Sequence, residues 1–230
     1  MTDAALVQGM IRILLVCVII TAAYIISTRN LLSLVSVYSL QSLTLVFLSL
    51  ALWTLDSSPV LLAIALITFV SKVIIIPYFI ATVQEKIRIR RDIEFHFLSP
   101  TTSLILSMGL MLVVYMALGR ILHGVPAREN LFFFGAVIGI SLMLMGMMVM
   151  LSRKRAITKV LGFLSMENGV LLFGMFVTEL PFIIEFLIII DLIILVLLTT
   201  ILTVGIDSTL EDYHKRLHRF RLVQGPEDQP

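Results

Sequence analysis

Apolar residues along this chain come in runs long enough to cross a bilayer, which takes ~20 residues of helix. Backbone N–H and C=O groups find no water in lipid, so each run is expected to be helical. Seven spans are predicted, at about 6–27, 30–54, 58–81, 101–122, 130–151, 158–178 and 181–206. The breaks carry turn chemistry or charge: Ser27-Thr28-Arg29-Asn30, Asp56-Ser57-Ser58-Pro59, Ser99-Pro100, Gly124-Val125-Pro126 and Glu179-Leu180-Pro181. Pro59, Pro100 and Pro181 each stand where a helix should begin, the position proline tolerates best.

Composition turns these runs into a fold class. Of the 230 residues, 59% are hydrophobic and 14% charged, and the mean hydropathy is +1.07. A water-soluble domain needs far more polar surface, so the expectation is an all-α membrane protein, one seven-helix transmembrane bundle over 1–206 with a polar tail over 207–230. The formal charge of +2 gives no reason to expect nucleic acid as a partner; lipid is the surrounding medium. Cys17, the single cysteine, excludes an intrachain disulfide. The opening Met-Thr-Asp-Ala-Ala lacks a basic segment, so the first run reads as a retained span, not a cleaved signal peptide.

Lysine and arginine set the expected orientation. Arg29, then Lys86, Arg88, Arg90 and Arg91, then Arg153, Lys154 and Arg155, then Lys215, Arg216, Arg219 and Arg221 fall on one set of alternating loops. The other set holds only Arg120 and Arg128, with Asp56 and Glu179. The positive-inside rule then places the N-terminus outside and the C-terminus in the cytoplasm of a cytoplasmic (inner) membrane. Arg12 lies early in the first span and either snorkels outward or faces the protein interior.

Candidate chemistry lies in ionisable groups within apolar runs, where a charge costs about 2.5–3.5 kcal/mol at a helix centre. Four stand out: Lys72, Glu167, Glu185 and Asp191. Lys72 has Thr68 one turn away, and Pro77 cannot donate to the carbonyl of Val73, which leaves an acceptor near the ammonium. It is either a functional charge or a lysine that snorkels to the cytoplasmic headgroups. Glu167 lies among Gly162, Ser165 and Gly169, small residues that let a neighbouring helix approach. It either carries a proton or ion, or serves as a protonated packing contact. Asp191 falls near the middle of the seventh span, while Glu185 is about one turn inside its outer end.

Other features point nowhere beyond packing. Met143, Met145, Met147, Met148 and Met150 suit flexible packing better than metal ligation, and His214 and His218 lack a third ligand. The chain carries no phosphate loop, nucleophile motif, zinc motif or dinucleotide fingerprint. Neither a catalytic site nor a metal or cofactor is expected in this chain.

A constant offset suggests an internal repeat. Arg29, Gln41 and Phe47 stand 126 residues before Arg155, Glu167 and Phe173. Spans one to three and five to seven would be parallel triplets joined by span four. Gln41 then takes the place of Glu167, and Lys72 and Asp191 lie at comparable depths of the third helix.

The second triplet, about 130–206, resembles the K-type small membrane subunit of respiratory complex I. That family has a basic loop, a Gly-Leu-Glu-x-Met-x-Asn stretch in its second helix and a carboxylate in its third. Gly162, Met166 and Asn168 match. Leu164 stands at the family's glutamate position, and Glu167 follows three residues later, nearly one turn on. Asp191 would supply the third-helix carboxylate. With seven spans, this second half and the Lys72 to Pro77 stretch, the chain as a whole resembles hydrogenase-4 component E. The resemblance implies a non-catalytic membrane-arm subunit of a group 4 NiFe hydrogenase or related complex I-like ion pump. Its neighbours would be antiporter-like and H-type membrane subunits, and the NiFe centre and iron–sulfur clusters would reside in partner subunits. Glu167, Asp191, Lys72 and Glu185 would form the proton or ion path, supported by Asn168, Gln41, Ser165 and Pro77. Two other functions compete: a stand-alone secondary transporter or cation/proton antiporter subunit, since paired triplets also occur in transporters, and a structural spacer or assembly subunit whose buried charges fix helix register.

Overall fold

The computed structural model describes residues 2–28, 30–87, 99–121, 130–153, 156–177, 189–191, 193, 194, 196 and 200. The helices are α1 (Thr2–Ser27), α2 (Leu31–Asp56), α3 (Pro59–Thr68), a π-helical segment π1 (Phe69–Ile75), α4 (Ile76–Ile87), α5 (Pro100–Ile121), α6 (Asn130–Ser152) and α7 (Ala156–Val177). No strand occurs among the described residues. Among the described residues, six helical stretches are long and apolar enough to cross a membrane; α3, π1 and the start of α4 form one of them, Pro59–Thr82. The described residues are thus almost entirely helical, and the chain is a multi-pass membrane protein. Of the expected seventh span, helical backbone is described at 189–191, 193, 194, 196 and 200. The tail over 207–230 and Glu185 lie outside the described residues.

Local sequence sets the helix ends. The side chain of Asn30 accepts from the backbone N–H of Leu32 and caps α2. At the other end Ser57 adopts the left-handed conformation, φ 50°, and its N–H returns to the carbonyl of Trp53. Pro59 then opens α3 at a position that needs no N–H.

The core forms where buried stripes meet. Along α1 the stripe is Ile11, Leu15, Val18, Ala22 and Ile25, spaced by four and three. The α2 stripe is apolar at both ends, with Leu31, Leu34 and Val35, then Leu45, Leu48 and Leu52, but Tyr38, Gln41 and Ser42 interrupt its middle. That polar interruption is what locates the site.

Among the described helices, α6 and α7 approach each other most closely, and they run antiparallel. A side chain added at Gly139 would strike the backbone of Phe173, one at Gly169 the backbone of Met143, one at Gly146 the backbone of Met166, and one at Gly162 the backbone of Met150. The contacts climb α6 as they descend α7, and the missing side chains let the two backbones touch. Gly162 and Gly169 therefore do admit a neighbouring helix. Ser165 differs from that expectation, because it turns to α2.

At one end of the bundle α1 and α6 finish together. Arg153, just after α6, is only 1% exposed. Its Nη2 donates to the carbonyl oxygens of Ile25 at 3.2 Å, Ile26 at 3.1 Å and Thr28 at 2.6 Å, at and just past the end of α1, where backbone carbonyls run out of helical donors. The α5 start lies at the same end, where Ser103 and Ser152 hydroxyls meet at 3.3 Å. Since α1 and α6 also pack against each other and finish at this one end, they run parallel, with α5 antiparallel to α6. The α5 surface is otherwise largely uncovered by the chain, with Ile105, Met108, Leu112 and Met116 all exposed. Arg12 is exposed on α1, so of its two readings the interior one does not hold.

Candidate functional site

Three elements bring polar side chains to one point inside the bundle: the middle of α2, π1 and the middle of α7. Lys72 comes from π1. There the backbone widens by one residue per turn, so that the N–H of Ile76 reaches the carbonyl of Ser71 instead of Lys72. Pro77, the second residue of α4, has no N–H to restore the tighter register. In the wider register its missing donor would have faced Lys72's own carbonyl, not that of Val73. The proline thus did mark a backbone irregularity at Lys72, and the wide turn itself is the part that the sequence reading lacked.

Lys72 is fully buried and Glu167 is 2% exposed, and Nζ of the lysine lies 2.7 Å from Oε1 of the glutamate. Nζ also donates to Oδ1 of Asn168 at 3.2 Å. The lysine therefore does not extend toward headgroups; it ends inside the protein on an α7 carboxylate.

Asn168 links this pair to α2. With Oδ1 committed to the ammonium, Nδ2 donates to Oε1 of Gln41 at 3.3 Å and to Oγ of Ser42 at 3.1 Å. Ser165 donates to the same Gln41 oxygen at 3.2 Å. The amide of Asn168 is held by partners on both ends, which fixes how it presents its oxygen to Lys72. Gln41, Ser42 and Asn168 are each completely buried.

Asp191 joins from the carboxy-terminal side. Its side chain meets that of Glu167 within hydrogen-bonding reach. Both of its carboxylate oxygens are buried, with no donor among the described residues. The Tyr38 hydroxyl, fully buried on α2, faces Ser42, Glu167 and Asp191. Thr68 is also completely buried, and its hydroxyl has no partner among the described residues.

Of the residues expected from sequence, Lys72, Glu167, Asp191, Asn168, Gln41 and Ser165 thus converge, and Pro77 sits beside the irregular turn. Ser42 and Tyr38 belong to the cluster but were not foreseen. A serine or tyrosine in an apolar run is inexpensive enough to escape notice, and only the stripe on α2 could have flagged them. Arg153 is expected in a cytoplasmic loop as an orientation charge; instead it is buried against the end of α1, where three backbone carbonyls accept from its Nη2. No group of three or more histidine, cysteine, aspartate or glutamate side chains suited to a metal ion occurs among the described residues.

The arrangement can hold charge away from water, with acceptors and a donor poised for proton exchange. No family model, curated protein or solved structure matches this chain.

Proposed function

We propose that this chain is a non-catalytic membrane subunit of a redox-driven, complex I-like ion pump, of the group 4 hydrogenase kind, and that it carries protons through Lys72, Glu167 and Asp191. The observation that carries this reading is the buried Lys72–Glu167 pair at 2.7 Å with Asp191 against it. Two carboxyls and an ammonium in a membrane interior are costly, and such groups serve ion and proton pathways. Asn168 and Gln41 supply the fixed dipoles that such a path uses to hold charge. The resemblance of the second triplet to the K-type subunit supplies the assembly: antiporter-like and H-type neighbours, with metal centres in partner subunits.

In this reading the chain has seven spans, with the N-terminus outside and the C-terminus in the cytoplasm. Its halves are parallel repeats about α5 as connector. Three facts support the repeat. The α1 and α6 helices end together; α2 and α7 meet at mid-length; and the bonds that α7 makes to α2, and Arg153 to the end of α1, join residues 124 to 128 positions apart, around the sequence offset of 126.

The test is proton pumping by the intact complex in vesicles, with electron transfer assayed in parallel. Glu167→Gln and Asp191→Asn should keep assembly and lose translocation. Normal pumping in both variants and in their combination would assign the residues to structure.

One observation favours a second reading, a stand-alone secondary transporter: the π-helical interruption at Lys72 places irregular backbone at the buried charge, as transporters do. Purification in mild detergent separates the two. A transporter is active alone after reconstitution, whereas a pump subunit brings large partners, which mass spectrometry of the intact assembly identifies.

A further inference from the structure

The buried cluster holds one cation and two carboxyl groups. Lys72, Glu167 and Asp191 are its charged members, and Tyr38 is the fourth titratable group that faces it. The other charged side chains whose burial is described lie elsewhere: Arg12, Asp56, Arg120 and Lys159 are exposed, and Arg153 is bonded to the end of α1. If both carboxyls were ionised, the cluster would carry a net negative charge out of reach of water, at a cost no described neighbour offsets.

Geometry makes the same demand by a separate route. Lys72 is bonded to Glu167 and Asn168, and the donors of Asn168 go to Gln41 and Ser42. Neither oxygen of Asp191 has a donor among the described residues. Two carboxylates are acceptors only, so they can meet within hydrogen-bonding reach only when one of them carries a proton.

We infer that Glu167 and Asp191 share a single exchangeable proton, so that the cluster rests as one ammonium, one carboxylate and one carboxylic acid, and that this proton is the ion the site takes up and gives away. On uptake, an O–H bond forms on one carboxyl and the bond to the delivering water or acid breaks. On release, the proton leaves to the next acceptor, and Lys72 then faces two carboxylates. A metal cation suits the site poorly, because the tethered ammonium already occupies the position beside Glu167 and would repel a second cation there. The use of this proton rests on the proton-carrying reading proposed above; its existence does not.

The experiment is infrared spectroscopy of the full chain in lipid nanodiscs at neutral pH. It follows the C=O band of protonated carboxyl groups and its shift in deuterated buffer. The wild type should show one such band that exchanges with deuterium. Glu167→Gln and Asp191→Asn should each remove it whole, because one ammonium then balances one carboxylate. Lys72→Met should double its area, because neither carboxyl then has a cation. Absence of the band in the wild type overturns the inference. So does a band that survives unchanged in either amide variant, which would place the proton on a single residue. Loss of the band on adding sodium ions at constant pH would make the site one for a metal cation and also overturns it. The wild-type band and its response to sodium need no substitution, so a variant that fails to fold leaves the inference testable. Should the band behave as expected while the amide variants still pump, the shared proton stands and the proton-path reading falls.

Discussion

Ser42 on α2 and Asn168 on α7 are hydrogen-bonded at 3.1 Å across a separation of 126 residues, the same separation at which Arg29, Gln41 and Phe47 find Arg155, Glu167 and Phe173. Under the proposed repeat, these two residues are counterparts that meet near an axis relating the halves. Each half then brings the same helix to the centre, and the chemistry differs by substitution. One half presents Gln41 and Ser42, which are neutral. The other presents Glu167 and Asn168, which hold the charge and orient it. Lys72, from the neutral half, reaches across to the acidic one.

Arg153 should matter for stability although it lies far along the chain from the helix it caps. Arg153→Ala leaves three carbonyls at the end of α1 without their shared donor. Hydrogen bonds from a charged group contribute about 1.5–3 kcal/mol each when buried, so the loss should exceed ~2 kcal/mol. Arg153→Lys should recover only part of it, because all three contacts come from Nη2 and the lysine nitrogen ends one bond nearer the backbone. Reversible unfolding in mixed micelles measures both. Equal stability of wild type and Arg153→Ala would remove the guanidinium from the account of how α1 and α6 are held.

The α6–α7 interface makes a second prediction. Gly146→Ala puts a methyl group against the backbone of Met166, which cannot yield as a side chain can. The expected loss is about 1–3 kcal/mol, typical of overpacking. A methyl added at Gly109 in α5 meets nothing within 4 Å, so Gly109→Ala should be neutral or slightly stabilising. Thermal unfolding in detergent compares the pair, and indistinguishable midpoints would contradict the close approach of α6 and α7.

These features were not equally legible in the sequence. Lys72 and Glu167 announced themselves because a charge in an apolar run has no inexpensive place to go, and Gln41 and Asn168 followed from their positions relative to Glu167. The helices themselves were visible because lipid leaves the backbone no alternative. Arg153 was opaque for a physical reason: an arginine at a helix end reads the same whether its head meets lipid phosphates or three carbonyls of a distant helix. The widened turn over Phe69–Ile75 was half visible. Pro77 shows that a donor is missing, but the register that the neighbouring turns adopt depends on what Lys72 packs against. Ser165 misled because small residues spaced by three and four suggest one packing face, while here Gly162 and Gly169 face α6 and Ser165 faces α2.

Orientation can be checked by chemical labelling. Ser58→Cys should react with an impermeant thiol reagent applied from outside, and Ser208→Cys only after the membrane is opened; Cys17→Ser supplies a clean background. The opposite pattern would invert the proposed topology and shift the cytoplasmic end of the bundle away from Arg153.

The energetic coupling of Lys72 and Glu167 yields the sharpest stability test. Removing one member of a buried pair strands the other and costs about 3–5 kcal/mol, whereas replacing both can be nearly neutral. Lys72→Met should therefore be strongly destabilising on its own. Adding Glu167→Gln should recover part of the loss, with a coupling of about 1–3 kcal/mol in the double-mutant cycle. Unfolding of wild type, both single variants and the double variant in micelles supplies the whole cycle. Strict additivity would mean that the 2.7 Å contact is energetically idle, and the buried charges would then need another account of why the bundle tolerates them.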